Sequence, residues 1–182
     1  MIDFEHHAEV RNGEMRNWNL VALLIACFIG PALPASAAEQ EVAEKFDDWS
    51  KICTTADEKT RICQIVQSAT QNDSGQLIFQ TAIGYVADSE SPVMYLTAPL
   101  EIFLPRGVSI FVDDSENGKQ ATFQRCDSNG CLAVMVLDPD FINVLKKGAA
   151  AKLVFAANAQ QNVSIPLSLT GFTRAFDSLK GR

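Results

Sequence analysis

Residues 108–137 read VSIFVDDSENGKQATFQRCDSNGCLAVMVL, three runs rich in apolar residues divided by two turn-forming clusters. Asn117-Gly118 separates Ser109-Ile110-Phe111-Val112 from Ala121-Thr122-Phe123-Gln124, and Asn129-Gly130 lies between Gln124 and Leu132. Asn-Gly supplies the positive φ angles that tight hairpins require, so the stretch predicts a three-stranded antiparallel meander. Cys126 and Cys131 enclose only Asp127-Ser128-Asn129-Gly130, a turn-forming tetrad. A bridge between them would pin the second turn and fix the register that decides which side chains are buried.

The same punctuation extends outward in both directions. Segments 46–53, 61–69, 76–87, 92–104, 108–113, 120–126, 131–137, 152–157 and 163–169 are rich in Ile, Val, Phe and Thr and are separated by Gly, Pro, Asn or Asp. Two short helices interrupt the pattern. Asp138-Pro139 supplies an N-cap and a first-turn proline, Phe141, Val144 and Leu145 share a face, and Lys146-Lys147-Gly148 gives a cationic last turn and a stop. After Thr170-Gly171, Phe172, Ala175, Phe176 and Leu179 recur at helical spacing, as a core stripe does. Many short strands without alternating long helices exclude a parallel α/β sheet and predict an all-β domain, an antiparallel β-sandwich with two short helices.

The first part of the chain has export grammar. From Leu20 an apolar run continues to Pro31 and Pro34 and ends in Ala35-Ser36-Ala37. It is too short to span a bilayer, and the small-residue triplet predicts a signal peptide over 1–37 with cleavage after Ala37. Met15 is followed by Arg16, a conventional basic start, which makes Met15 the alternative first residue. Leu24-Ile25-Ala26-Cys27 resembles a lipobox, but Phe28-Ile29 extends the apolar run past Cys27 and favours reading that cysteine as part of the signal core rather than as a lipidation site. Residues 38–45 are polar and acidic and read as a flexible segment ahead of a single domain over 46–182.

Maturation at that point would remove both histidines, His6 and His7, and keep Cys53, Cys63, Cys126 and Cys131. An even set of cysteines in an oxidising compartment predicts two disulfides, and of the three connectivities Cys53–Cys63 with Cys126–Cys131 is the most economical. Neither pair has thiol-oxidoreductase spacing, and exported thiols without histidine argue against zinc. The chain carries 22 acidic residues against 15 Lys and Arg, a formal net charge of −7. That balance argues against nucleic acid as a partner.

Several residues invite a functional reading. Asp113, Ser115 and Asn117 occupy positions 1, 3 and 5 of a calcium-loop pattern, with Gly118 at position 6, but position 12 is Gln124 instead of Glu. Asp138 and Asp140 could pair as acid and base, although Asp138 is needed as a helix cap. Ser164 and Ser168 would lack a histidine partner after maturation, which removes the usual nucleophilic triad. Trp49 reads as core near the first bridge, or as a binding-site residue, with a pocket lined by Trp49 or Tyr95 as the sign of a small-ligand module. The apolar segment 92–105 reads as a strand buried on both faces, or as an edge or loop that offers an apolar partner surface.

Trp49, Cys53 and Cys63, then Leu104-Pro105-Arg106-Gly107-Val108, Val112-Asp113, Cys126, Gly130-Cys131-Leu132-Ala133 and Leu167-Ser168-Leu169-Thr170-Gly171-Phe172-Thr173-Arg174-Ala175 form an ordered set. In that order it resembles the invasion-associated locus B family of exported bacterial proteins, from about residue 46 to 179. The resemblance implies an immunoglobulin-like β-sandwich in the periplasm or envelope, with no catalytic residues to transfer. The expectation is a non-enzymatic, cofactor-free domain, periplasmic, outer-membrane-associated or secreted. It would act through an unidentified protein partner in envelope maintenance or host-cell interaction, touching the membrane only through its signal peptide. The alternative is a periplasmic small-ligand or calcium-binding module.

Overall fold

The computed structural model describes residues 40–55, 61–70, 73, 77–86 and 89–180. The expected signal peptide over 1–37, the alternative start at Met15 and Cys27 lie outside them. Among the described residues ten strands form, in chain order β1 (Gln40–Phe46), β2 (Trp49–Thr55), β3 (Arg61–Thr70), β4 (Leu77–Gly84), β5 (Val93–Ala98), β6 (Val108–Val112), β7 (Lys119–Asp127), β8 (Gly130–Val136), β9 (Ala150–Ala156) and β10 (Asn162–Ser168). Helix α1 covers Pro139–Lys147 and α2 covers Phe172–Asp177, and 3-10 turns cover Leu104–Arg106 and Ser178–Lys180. The all-β, antiparallel reading with two short helices holds.

The strands form one ladder in the order β1-β2-β3-β4-β5-β8-β7-β6-β9-β10, antiparallel at every neighbour. An immunoglobulin-like sandwich has two separately paired sheets, and here β7 joins what would be the two layers. Its residues 119–121 pair with β6 and its residues 122–127 pair with β8, with a register shift between Phe123 and Arg125. Such an irregularity bends a strand and increases its twist, so the sheet curls into a half-barrel instead of breaking. The curl brings β9 and β10 over β3 and β4, where Phe79 stacks on Phe155 with ring centroids 5.9 Å apart.

Side chains close the gap between the far strands. The Gln67 amide on β3 meets the Ser168 peptide on β10 in both directions, Ser168 N–H donating to Oε1 at 2.8 Å and Nε2 donating to Ser168 O at 3.0 Å. Trp49 Nε1 donates to the same carbonyl at 2.9 Å. The end of an edge strand thereby gains partners that no neighbouring strand provides.

Local expectations fare unevenly. Helix α1 starts and stops as its sequence predicts, with the Asp138 carboxylate accepting from Phe141 N–H at 2.7 Å and Gly148 N–H donating to Val144 O at 2.9 Å. Phe172, Ala175, Phe176 and Leu179 are all buried, and Phe172 meets Trp49 edge-on at 5.3 Å. Gly171, at φ +83°, starts α2 so close to β1 that a Cβ there would lie 2.1 Å from Phe46 O. The flexible segment expected at 38–45 is corrected, because residues 40–46 form β1. Edge pairing uses main-chain groups and needs no apolar side-chain pattern.

The antiparallel meander of β6, β7 and β8 holds, with the Cys126–Cys131 bridge at its second turn, but both turns are corrected. Residues 113–118 form a long connection, because Phe111 and Val112 pair with β9 and not with β7. In the second turn Asp127 pairs with Gly130, which leaves Ser128-Asn129 as the loop in place of Asn129-Gly130. The Cys126–Cys131 pairing next to it sets that register. The apolar segment 92–105 divides. Val93–Ala98 is a central strand with Met94 and Leu96 fully buried, whereas Leu100 and Leu104 are exposed.

Candidate functional site

Both disulfides join residues directly opposite each other in the ladder. Cys53 faces Cys63 across β2 and β3 with Cα atoms 4.1 Å apart, and Cys126 faces Cys131 across β7 and β8 at 4.0 Å. Antiparallel partners come this close only at non-hydrogen-bonded positions, where the main-chain groups point away from each other. Each bridge locks a register, and both cysteine pairs sit where sequence economy places them.

The acidic connection after β6 is built around its first residue. Asp113, at φ +49°, accepts at Oδ1 from the N–H groups of Ala149 and Ala150, both at 3.0 Å, and its own N–H donates to Ala150 O at 2.9 Å. Ser115 Oγ accepts from Asn117 N–H at 3.2 Å. The three residues singled out for calcium therefore serve a loop: Asp113 fastens it to the start of β9, and Ser115 and Asn117 shape its tip. Ser115, Asn117 and Gly118 also line one side of a groove of about 280 Å³ whose other side is Asp140, Phe141 and Val144 on α1.

Asp138 lies 2.8 Å from Lys119 Nζ. The hydrogen bond from Lys119, then that from Phe141 N–H, holds its carboxyl below the usual carboxylate range. It is a cap and an ion-pair partner. Ser168 Oγ donates to Asp48 Oδ2 at 2.6 Å and accepts from Thr170 N–H at 3.1 Å, which commits it to the β10 terminus, and Ser164 is exposed on β10. Trp49 is fully buried in the core, so its binding-site reading is not met, and Tyr95 is half-buried on β5, level with Ala82 and Val134. No group of three or more His, Cys, Asp or Glu side chains close enough to hold a metal occurs among the described residues.

A larger groove, about 460 Å³, opens where β6 and β7 part company. Leu104, Pro105 and Gly107 form one wall, and Thr122, Phe123, Gln124, Arg125 and Cys126 of β7 form the other. The first wall is tied down at several points. Gln120 Nε2 donates to Arg106 O at 2.6 Å, while the Arg106 guanidinium donates to Ala159 O at 2.7 Å and to Asn162 Oδ1 at 3.2 Å. Gly107, at φ +62°, turns the chain into β6 so tightly that a Cβ would lie 2.4 Å from Ala121 O. Sequence reading places Leu104 and Pro105 at the end of the apolar segment 92–105, with a partner surface as its second reading, uses Arg106-Gly107 only as part of a resemblance and passes over Arg125. A proline and a glycine placed just before a strand were the available sign of a shaped wall.

Fold and surface together define a disulfide-bonded antiparallel β-domain whose polar side chains mostly hold loops and strand ends, and whose open features are grooves. The chain belongs to the invasion associated locus B (IalB) family, whose family model matches residues 49–180. It is similar to an invasion protein B homolog of Brucella abortus, 27% identical over 91% of this chain and 98% of that protein. Invasion protein B of Bartonella bacilliformis is 25% identical over 81% of this chain and 78% of its own length. The crystal structure of invasion associated protein b from Bartonella henselae has a TM-score of 0.64 at 22% identity, covering 75% of this chain and 94% of that one, which establishes a shared fold.

Proposed function

We propose that this chain is an exported, non-catalytic domain of the bacterial envelope that works through contacts with another protein, in envelope maintenance or in host-cell interaction. The observation that carries the reading is the surface. The groove between the Leu104–Arg106 turn and β7 and the exposed apolar side chains Leu100, Leu104 and Val136 face outward, while Asp138, Asp113 and Ser168 are committed to a helix cap, a loop and a strand end. Export is supported by the signal-like run 20–37 and by two bridges that persist only in an oxidising compartment. The periplasmic face of the envelope is the compartment that both features suit. The acidic charge balance favours a protein partner over nucleic acid. Relatives named for invasion support a host-directed role without specifying one.

Cross-linking in intact cells tests this. The expected result is a reproducible adduct with one envelope or host protein. Failure to form any specific adduct across the exposed surface would overturn it.

A further inference from the structure

Residues 119–121 of β7 pair with β6 and residues 122–127 with β8, so each stretch has one open side. Beyond Ala121 the side that β6 covers becomes open, because the chain preceding Val108 turns at Gly107 into the 3-10 turn Leu104–Arg106 and leaves the sheet. No other strand covers that side among the described residues. Cys126 sits at a non-hydrogen-bonded position opposite Cys131, so its N–H and C=O point away from β8, toward the groove that Cys126 lines. An uncovered strand edge of this kind is a template for another main chain.

We propose that the open edge of β7 between Thr122 and Cys126 takes an extended, acid-bearing peptide segment of a partner protein by strand addition. The proposal rests on the protein-contact reading above and names the surface and the chemistry. The main chain of the partner would complete the ladder over about five residues, roughly 17 Å of strand. One of its apolar side chains would lie against Leu104 and Pro105, where Leu104 is 41% exposed. A carboxylate of the segment meets Arg125, whose side chain is 67% exposed and whose ion pair with Asp127 is 3.3 Å long. Both walls are fixed before binding, one by the Gln120 and Arg106 hydrogen bonds and the other by the Cys126–Cys131 bridge. Rigid walls reduce the ordering cost that binding must overcome.

The test places a photo-cross-linking amino acid at Gln124 and, in separate full-length chains, at Ile62, Leu100 and Val144, and exposes intact cells to light. The expected adduct forms at position 124 and maps to a segment containing Asp or Glu. A synthetic peptide of that segment should bind the purified oxidised protein, lose about tenfold in affinity to Arg125→Glu, and lose binding when its alternate amides are N-methylated. Unchanged thermal melting of Arg125→Glu would show that folding is intact. Adducts at the other positions but not at 124 would overturn strand addition and leave the protein-contact reading standing. No adduct anywhere would overturn both. A second copy of this chain as the adduct, or equal binding of the N-methylated peptide, would also overturn the proposal.

Discussion

Asp113 shows how a residue type can suggest one chemistry and serve another. Its carboxylate holds two main-chain N–H groups at the start of β9, so Asp113→Ala leaves both without their acceptor. The expected cost is about 1 kcal/mol, read as a lower denaturation midpoint with an unchanged m-value. Thr81 presents the opposite case. Its hydroxyl is buried without a hydrogen-bond partner beside a cavity of about 10 Å³ lined by Phe79, Leu153, Ile165 and Leu167. Thr81→Val removes a desolvated polar group at nearly constant volume and should raise stability by about 1 kcal/mol. A lower melting temperature would contradict that assignment. Neither role was legible in the sequence, because Asp113 acts on groups more than thirty residues along the chain and the Thr81 site is closed by the equally remote Leu153, Ile165 and Leu167.

Among the elements, α1 was the most legible, because a cap, a first-turn proline and a terminal glycine act within a few residues of one another. Strand β1 was not, since an edge strand is specified by the main chain it pairs with. The helices also carry the acid sensitivity. Asp138 is held below the usual carboxylate range by Lys119 first and then by Phe141 N–H, and Asp177 by Lys146 and then Lys180. A carboxyl depressed in the folded state binds its proton less readily there than in the unfolded chain. Its stabilisation is complete above the ordinary carboxylate range and is lost as pH falls through the folded value, below about pH 4. Asp177→Asn and Asp138→Asn should therefore flatten the acid limb of a stability profile, and asparagine at 138 keeps the helix cap. Acid limbs as steep as in the parent protein would contradict the three ion pairs that Asp138 and Asp177 make.

At the scale of the whole molecule, the class and nine of the ten described strands were legible, whereas the continuity of the sheet was not. Short apolar runs and turn clusters place β7 between its sequence neighbours β6 and β8, but the register shift between Phe123 and Arg125, where the strand passes from one partner to the other, leaves no local sign. The bridges fix the register of the ladder at two places, between β2 and β3 and between β7 and β8. Opening either one, by Cys53→Ser with Cys63→Ser or by Cys126→Ser with Cys131→Ser, should cost about 2–3 kcal/mol of stability. The second pair should also weaken binding at the β7 edge, because it fixes one wall of the groove. Central to the account is an exported chain whose oxidised form is the working one. The most direct test is the intact mass of the protein extracted from the cell envelope with free thiols blocked during lysis. A chain beginning at Ala38, unacylated and lighter by the four hydrogens of two disulfides, is predicted. A chain that retains residues 1–37, carries a lipid on Cys27 or has blocked thiols at Cys53, Cys63, Cys126 or Cys131 would contradict it.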